Sequence, residues 1–410
     1  MTTTINKEHK KFNVPNLRFK EFQGEWKEKT IGEIATIKNG PFGSVLHAED
    51  YVDEGMPIVT TEHFKNGSLP LSKNGIPQVS EDDYCRLKGY LLETNDIVFS
   101  RVGSVDINAH VEQAQQGWLF SGRVLRVRPI RSINSLCLHY VLSTEYVKRD
   151  IRNRAVGQTM PSINTPILSS TKIFMPQSEV EQKKIASLLA LLDERIAAQN
   201  KIIEDLKKLK SAVIDYAIGS LDADFLKFGS LYETAGEGGT PTTSNASFYD
   251  NGKIPFIKID DLRQKYLVEN KDFITELGLQ KSSAWLVPTH SILFSNGATI
   301  GEITITTYPV CTKQGILGIV PKSNIDVEFL YYFMSSSYFK KAVSRIVTEG
   351  TMKTAYLKDI NNILCPIPTK EKQQDIAKMP SALNSKIDFE QSILRLFYAQ
   401  KQYLLRQMFI

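Results

Sequence analysis

The feature that most constrains the fold of this 410-residue chain is an internal repeat at an offset of 192 residues. The segment CLHYVLSTEYVKRDI (137–151) aligns with FLYYFMSSSYFKKAV (329–343), and upstream NDIVFSRVGSV (95–105) aligns with HSILFSNGATI (290–300). Matches that keep one order and, apart from small gaps, one spacing indicate two copies of a structural unit. A chain of this length also exceeds what a single hydrophobic core usually serves. We therefore expect two domains of similar fold.

Each repeat is predicted to be a mixed α/β domain of roughly 150 residues followed by a long helix. Strand-like segments, KTIGEIATI and LKFGSLYET, open the two repeats. The fold class expected is α+β. The predicted partition is an N-terminal arm (1–20), a first domain (21–175), a central helix (176–219), a second domain (220–367) and a C-terminal helix (368–410).

Both predicted helices carry an apolar seam with the four-three spacing of a coiled coil. A helix of forty residues is about 60 Å long, and two such helices could bury each other's seam. The alternative is that each helix packs on its own domain. The predicted seam residues are Ile185, Leu189, Leu192, Ile196, Gln199, Ile203 and Leu206 in the first helix, and Leu383, Ile387, Glu390, Leu394, Phe397 and Leu404 in the second.

Two polar residues and one proline make specific predictions about this helix pair. If a pseudo-two-fold axis relates the repeats, the helices run antiparallel, and Gln199 meets Glu390 as a buried pair that fixes the register. Pro380 lacks a backbone N–H, so we expect the second helix to become regular only after Ser381.

Composition excludes several classes of protein. With 42% hydrophobic and 10% aromatic residues, the chain is globular, not disordered. No stretch approaches the roughly 18 consecutive apolar residues of a membrane span, and the N-terminus lacks the apolar region of a secretory signal. The four cysteines form no C-x-x-C pair and the six histidines no H-x-x-x-H pair, so neither a disulfide framework nor a metal site is expected. A cytoplasmic protein is the expectation.

Several segments together resemble the specificity subunit of type I restriction–modification systems. They are PNLRFKEFQGEW (15–26), NGPFGSVLHAEDYVDEGMPIV (39–59), GGTPTTSNASFYDNGKIPFI (238–257) and the two helix starts at 182–186 and 373–377. The resemblance covers nearly the whole chain. It rests on the order of these segments, because no single one is decisive.

The resemblance implies a DNA-reading scaffold without catalysis of its own. Two target-recognition domains in a pseudo-two-fold arrangement would each read one half of an interrupted double-stranded DNA target, and two long antiparallel coiled-coil helices would separate them. The helices would dock two adenine-N6 methyltransferase subunits, which restriction and translocase subunits join. S-adenosylmethionine, ATP and Mg²⁺ would then belong to the partner subunits, and this chain would hold no cofactor.

The glycine-rich turns NGPFGS (39–44) and GEGGTPTTS (236–244) are the first candidate DNA contacts. Glycines let backbone N–H groups approach phosphates, and hydroxyl groups add donors. The candidates are Gly43, Ser44, Thr240 and Thr242. Ordinary tight loops are the alternative interpretation.

TTEHFKNG (60–67) and KIDDLRQK (258–265) each follow a predicted buried strand. Their polar side chains could reach base edges or phosphates, or could simply be solvated. The candidates are Thr61, His63, Lys65, Lys258, Asp260 and Arg263.

FSRVGS (99–104) and FSNGAT (294–299) place Arg101 opposite Asn296. Arginine pairs well with guanine O6 and N7, and asparagine with adenine N6 and N7. These two positions are therefore predicted to differ in base preference between the halves. Ser104 and Thr299 complete this pair of segments.

SGRVLRVRPIR (121–131) alternates arginine with aliphatic residues, as a half-buried strand does, whereas KQGILGIVPK (313–322) lacks those arginines. Arg126 and Arg128 are predicted either to clamp phosphates or to lie solvated on an edge strand. Lys313, which opens the second segment, is a further candidate.

RNRAVGQTM (152–160) and SRIVTEGTM (344–352) each join a helix end to a glycine-containing loop. Such a loop could contact a DNA groove or could cap the helix. The candidates are Arg154, Gln158, Thr159, Thr351 and, just beyond, Lys353.

Two other functions are weighed against the DNA scaffold. A single-chain modification enzyme would resemble its family through an N/D-P-P-F/Y loop and a glycine-rich cofactor turn, and neither string is present. A coiled-coil adaptor that binds only proteins would show no salt-dependent affinity for DNA, whereas phosphate contacts give a steep salt dependence.

Overall fold

The computed structural model describes residues 13–41, 46–347 and 353–410. It forms two compact units, the first comprising Met1–Ala198 with Ile393–Ile410 and the second Gln199–Ser392. Each unit includes part of each of the two long helices. The predicted partition differs in treating each helix as a separate segment.

The first unit contains ten strands and five short α-helices among its described residues, together with the beginning of a long helix. The strands are β1 (Lys27–Thr30), β2 (Ala35–Asn39), β3 (Tyr51–Val52), β4 (Met56–Val59), β5 (Gln78–Val79), β6 (Ile97–Ser100), β7 (Asn108–His110), β8 (Leu119–Phe120), β9 (Val124–Pro129) and β10 (Lys172–Met175). The helices are α1 (Ile31–Ile34), α2 (Glu81–Arg86), α3 (Ser135–Leu142), α4 (Glu145–Arg154), α5 (Thr165–Ser169) and the long α6 (Glu179–Gly219).

The second unit repeats this pattern. Its strands are β11 (Phe225–Lys227), β12 (Tyr232–Glu237), β13 (Ile254–Ile257), β14 (Tyr266–Leu267), β15 (Asp272–Ile274), β16 (Ile292–Ser295), β17 (Ile303–Thr306), β18 (Cys311–Thr312), β19 (Ile316–Pro321) and β20 (Leu364–Pro366). Its helices are α7 (Glu276–Gln280), α8 (Val327–Ser335), α9 (Ser337–Ile346), α10 (Leu357–Ile360) and the long α11 (Lys370–Met408).

The sheets of the two units share a common topology, to which the first unit adds β3 and the second adds β14. In the first, an antiparallel sheet of order β2-β9-β6-β7 accompanies a small sheet, β3-β5-β4-β8, in which β4 and β8 are parallel. In the second, β12-β19-β16-β17-β14 accompanies β15-β13-β18, in which β13 and β18 are parallel. The antiparallel pairs β1–β10 and β11–β20 complete the match. The predicted pair of similar α+β domains is confirmed.

The segments that open the two repeats differ in detail from the prediction. KTIGEIATI forms two strands, β1 and β2, on either side of the short helix α1. Because β1 pairs with β10 while β2 belongs to the larger sheet, the chain must turn between them. Ile31 and Ile34 anchor this helical turn in the core.

A buried glutamine near the start of each long helix fixes that helix to its domain. The Gln182 side-chain oxygen accepts a hydrogen bond from the backbone N–H of Asn134 at 2.8 Å, and its amide nitrogen donates to the Pro176 carbonyl at 2.9 Å. In the second unit, Gln373 accepts from the Asp326 N–H at 2.8 Å and donates to the Pro368 carbonyl at 2.9 Å.

These bonds link each long helix to the first turn of a domain helix. Asn134 caps α3 by accepting from the Cys137 N–H, and Asp326 caps α8 by accepting from the Phe329 N–H. Both capping residues also donate their backbone N–H to the glutamine described above. The cap and the glutamine thus form one network in each unit, which defines the angle at which the long helix leaves its domain.

The predicted seam residues are all buried or half-buried, and their packing combines the two interpretations weighed from the sequence. In the first unit, Ile185 and Leu189 join the core of the globular domain together with Leu405 and Met408 of α11. In the second unit, the domain core includes Ile214 and Ile218 of α6 and Ala377 of α11.

Between these anchored ends the helices contact each other, and the contacts run antiparallel. In the second unit, Gln199 donates to the Glu390 carbonyl at 3.0 Å and also to its carboxylate, and both residues are buried. The expected meeting of Gln199 with Glu390 is therefore present. Further along, Lys210 donates to Asn384 at 2.9 Å. In the first unit, Lys401 pairs with Asp193 at 2.5 Å.

The prediction that α11 becomes regular only after Ser381 is wrong, because the helix begins at Lys370 and continues through Pro380. An internal proline costs roughly 3 kcal/mol, and tertiary contacts on both sides offset it. Ala377 is buried in the second core. Ser381 accepts a hydrogen bond from Tyr332 at 3.1 Å and donates to Glu328 at 3.1 Å.

No helix in the described part of the chain is both long enough and apolar enough to cross a membrane.

Gln182→Ala and Gln373→Ala should each destabilise the chain by about 1–3 kcal/mol, because each removes a buried amide and leaves a backbone N–H and a backbone carbonyl without that partner. The measurement is the midpoint of urea-induced unfolding. Lys183→Ala is the matched control, since this exposed side chain makes only an ion pair within its own helix. Equal midpoints for Gln182→Ala and Lys183→Ala would contradict the anchoring role.

Candidate nucleic-acid interface

The loops that carry most of the predicted contacts meet at one end of the first unit's sheets. Because β4 and β8 are parallel, the segments after them start side by side, and the Ser121 N–H donates to the Val59 carbonyl at 2.8 Å. The Arg101 N–H donates to the Arg123 carbonyl at 3.0 Å, and the Ile163 N–H donates to the Arg101 carbonyl at 2.9 Å. We call residues 40–41, 60–65, 101–104, 121–123 and 156–163 the first loop surface.

The second unit builds a corresponding surface with the same backbone hydrogen bonds. The Lys313 N–H donates to the Ile257 carbonyl at 2.9 Å, and the Asn296 N–H donates to the Gly315 carbonyl at 3.0 Å. The Ala355 N–H then donates to the Asn296 carbonyl at 2.8 Å. We call residues 238–242, 258–263, 296–301, 313–315 and 353–355 the second loop surface.

One glycine in each surface is required by close backbone packing. A Cβ atom on Gly40 would lie 2.0 Å from the Ser121 carbonyl oxygen, and one on Gly238 would lie 2.2 Å from the Thr312 carbonyl oxygen. No side chain fits at such distances. At these two positions the tight-loop interpretation of the glycine-rich turns applies.

Many of the predicted contact residues do reach solvent on the two loop surfaces. The exposed ones are Lys65, Ser104, Gln158 and Thr159 on the first surface, and Thr242, Lys258, Asp260, Arg263, Thr299, Lys313 and Lys353 on the second. The half-buried ones are Thr61, His63 and Thr240.

Some of these side chains already have partners. Lys65 pairs with Glu62, Arg263 with Asp260 at 2.9 Å, and Lys258 with Asp272 at 2.8 Å. These exposed ion pairs are weak, so a phosphate could displace the carboxylate at small cost.

His63 is held more firmly than its exposed neighbours. Its ring Nδ1 accepts a hydrogen bond from the Thr60 N–H at 3.0 Å, and burial lowers its pKa. The ring therefore stabilises the turn after β4 in its neutral form.

Asn296 does not offer its side chain to a base, so that part of the prediction is wrong. The residue is only 1% exposed, and its amide nitrogen donates to the Ala355 carbonyl at 3.3 Å. Arg101 occupies the equivalent backbone position and is half-buried, with Nη1 donating to the Gly122 carbonyl at 3.1 Å. The segment that follows α9 covers Asn296, a long-range contact that local spacing does not reveal.

Neither interpretation of Arg128 holds. Strand β9 lies between β2 and β6, so it is not an edge strand. Arg128 donates to both carboxylate oxygens of Asp96, at 2.7 and 2.8 Å, and to Glu93 at 2.6 Å. The hydrogen bonds to Asp96 are the main cause of the raised pKa of Arg128. Its charge is already compensated within the domain, and it cannot clamp a phosphate.

The Arg126 side chain is also bound within its own domain. It donates to the Leu91 carbonyl at 3.2 Å, and its guanidinium lies 5.9 Å from the centre of the Phe120 ring. Burial lowers its pKa, and the neighbouring positive charge of Arg128 lowers it further. The prediction of a solvated edge is wrong for this residue, because β9 is a central strand, and the phosphate clamp stays a prediction.

Arg154 also fails as a groove contact. Its Nη1 donates to the Ile167 carbonyl at 2.9 Å and to the Ser170 hydroxyl at 3.0 Å, and Nη2 donates to Asp150. The residue thus ties the end of α4 to α5, as the helix-capping alternative expected.

Three predicted contacts, Gly43, Ser44 and Thr351, lie outside the described residues.

Sequence reasoning missed Arg123. Its side chain is exposed on the first loop surface, and no ion-pair partner for it occurs among the described residues. The available signal was the difference between SGR (121–123) and KQG (313–315) at equivalent turns, each of which carries one cation. That difference was obscured by the more conspicuous alternation of Arg126 and Arg128.

Within the described ranges, no group of three or more His, Cys, Asp or Glu side chains is placed to hold a metal ion. What the two loop surfaces offer instead is exposed cations, hydroxyls and amides on fixed backbone turns. Such groups suit phosphate oxygens and base edges.

Comparison with known proteins places the chain in a family. The family described as type I restriction modification DNA specificity domain matches residues 23–208 and again 222–396. Over 411 aligned residues the chain is 26% identical to a Methanocaldococcus jannaschii protein named for the specificity subunit of the type I restriction enzyme MjaX, covering 93% of this chain and 92% of the relative. The MjaIX specificity subunit of that organism is 24% identical, with 88% of each chain covered.

A solved structure has the same fold. The S subunit of a type I restriction–modification system from M. genitalium aligns with a TM-score of 0.57, covering 97% of this chain and 99% of that one at 17% identity. The family match extends over most of the chain and occurs once in each repeat. This chain therefore belongs to the family of type I restriction–modification specificity subunits.

Proposed function

We propose that this chain reads an asymmetric, interrupted DNA target through its two loop surfaces and carries the subunits that modify the target. The observation that supports this most directly is the shared backbone frame of the two surfaces. Equivalent hydrogen bonds hold equivalent loops in both units, while the side chains on those loops differ.

Two related domains that recognise different DNA sequences need a common backbone framework that carries different side chains. Phosphate and backbone contacts position a protein on DNA, whereas side chains at base edges select the sequence. The turn after β8 is SGR and the turn after β18 is KQG, so the two surfaces present different donors at different positions of equivalent turns. The two half-sites should therefore differ, which makes the whole target asymmetric.

The long helices are proposed to set the spacing between the half-sites. Helix α6 has 41 residues and would measure about 60 Å. Along an apolar seam a register shift is opposed by the buried Gln199–Glu390 pair, because slippage would leave both polar groups without partners. Hydrogen bonds from Lys386 and Gln199 lower the pKa of the Glu390 carboxyl.

An apolar stripe on the exposed side of α6 supports docking of another subunit. We define the outer stripe as Val180, Leu191, Ile202, Leu209 and Tyr216, all of them between 44% and 78% exposed. Steps of 11 and 7 residues keep a side chain within roughly 40° of one helix face. On α11, Phe389, Leu396 and Tyr403 repeat every seven residues and are also exposed.

Exposed apolar stripes of this length mark interaction sites in proteins. We assign the outer stripe of α6 and its counterpart on α11 to two methyltransferase subunits, with restriction and translocase subunits joining that assembly. S-adenosylmethionine, ATP and Mg²⁺ would be bound by those partners, and the specificity subunit would supply no catalytic group.

Ile202→Asp combined with Leu209→Asp should abolish co-purification with the methyltransferase subunit, because two carboxylates would be desolvated at the docking surface. The urea unfolding midpoint of the chain should hardly change. Ile202→Leu with Leu209→Ile is the matched control, since it keeps the stripe apolar and should retain the partner.

The buried seam provides a contrasting variant. Leu192→Asp with Leu383→Asp should lower the unfolding midpoint as well as abolish assembly. If the Ile202→Asp, Leu209→Asp variant co-purified with the methyltransferase subunit as the parent chain does, docking would have to lie elsewhere.

Arg101→Ala and Lys313→Ala should alter different halves of the target, because one residue lies on each loop surface. The measurement is the set of methylated motifs in a host that expresses the methyltransferase subunit with each variant. We expect each variant to relax one half-site by on the order of 10-fold in base preference and to leave the other half unchanged. Changes by both variants in the same half-site would refute the assignment of one half to each unit.

A further inference from the structure

The 121–123 turn of the first loop surface is fixed by backbone contacts. Ser121 donates its N–H to the Val59 carbonyl at 2.8 Å and accepts from the Val124 N–H at 2.9 Å. The Arg123 carbonyl accepts from the Arg101 N–H at 3.0 Å. Gly40 packs against the Ser121 carbonyl so closely that no Cβ fits. A side chain carried on this turn therefore starts from a fixed position.

The guanidinium group of Arg101 holds this turn through a hydrogen bond. Its Nη1 donates to the Gly122 carbonyl at 3.1 Å, and its Nε is buried. An arginine with its head group against a carbonyl and its stem half-buried is poorly placed to follow a base edge.

The second unit supports this interpretation, because the corresponding turn is positioned there by other side chains than the one equivalent to Arg101. Asn296, at the position of Arg101, is buried, and its side-chain amide donates to the Ala355 carbonyl and not to the 313–315 turn. That turn is held instead by Thr240, which accepts from the Gln314 N–H at 3.3 Å, and by Glu237, which accepts from the Gly315 N–H at 2.9 Å. Each turn thus has a side chain that positions it.

Each turn also carries one exposed cation that does not position it. In the first unit this is Arg123, whose guanidinium has no hydrogen-bond or ion-pair partner among residues 13–41, 46–347 and 353–410. By contrast, Arg126, Arg128 and Arg154 of the same unit are bound to carbonyls or carboxylates.

We infer that Arg123 is the guanine-reading residue of the first half-site and that Arg101 is its positioning residue. The inference rests on the proposed function and deepens it. A guanidinium on a fixed turn can present two parallel N–H donors to guanine O6 and N7, the most frequent specific contact between a side chain and a base. Since the turn is ordered before binding, little conformational freedom remains to be lost on contact.

The test uses the full chain co-expressed with its methyltransferase subunit and reads every methylated motif in the host genome. Arg123→Ala should change one position of one half-site from guanine to two or more bases, with a loss of preference on the order of 10-fold or more. All other positions should remain as selective as with the parent chain. Arg131→Ala is the matched control, because it removes an exposed arginine beyond the opposite end of β9 and should leave the motif unchanged.

Arg101 is tested by non-additivity. Arg101→Ala should relax the same position as Arg123→Ala, and the double variant should relax it no further. Arg101→Lys retains a donor for the Gly122 carbonyl and should restore part of the selectivity. If Arg101→Ala fails to co-purify with the methyltransferase subunit, the comparison of Arg101→Lys with Arg123→Ala replaces it.

Three results would overturn the inference. The motif could remain fully selective in Arg123→Ala, methylation could fall evenly with no change of motif, as for a phosphate contact, or Arg101→Ala could relax a different position. Failure of the proposed function looks different, because the parent chain itself would then direct no sequence-specific methylation.

Discussion

The buried glutamine amides at the starts of the two long helices are the contacts on which the rest of the structure depends. Gln182 and Gln373 are each only 1% exposed, and each joins a domain helix cap to the proline-containing segment before the long helix. An amide in this position cannot rotate or leave without breaking its hydrogen bonds to two backbone groups. Each domain is thereby held at a defined orientation on its own helix, and a loop surface on that domain is oriented with it.

A domain that is held rigidly on its helix can still present different side chains on its loop surface. On both loop surfaces, the groups that fix the backbone are different from the side chains that reach solvent. Backbone hydrogen bonds and the closely packed Gly40 and Gly238 fix the loops, whereas Arg123 and Lys313 project from equivalent turns without altering them. Exposed loop residues contribute little to stability, so base preference can change by substitution there while the fold is preserved. The same division would let two copies of one fold serve the two different half-sites proposed above.

The parts predicted well from the sequence are those determined by local pattern or by the repeat itself. Seam spacing identified the residues that the helices bury, and the offset between the copies placed Gln199 against Glu390. The errors concern residues whose packing and hydrogen bonds depend on segments that are distant in the sequence. Asp96 neutralises Arg128, the segment after α9 covers Asn296, and tertiary contacts keep α11 helical through Pro380. None of these contacts follows from spacing, since each partner is distant in sequence or belongs to another element.

We propose that this chain alone decides where a partner methyltransferase acts. The most direct measurement is genome-wide adenine methylation in a host that expresses the neighbouring methyltransferase subunit with and without the chain. We expect methylation of one asymmetric, interrupted motif that appears only when both proteins are present. The same motif in the absence of the chain, or no sequence-specific methylation although the two proteins co-purify, would contradict it.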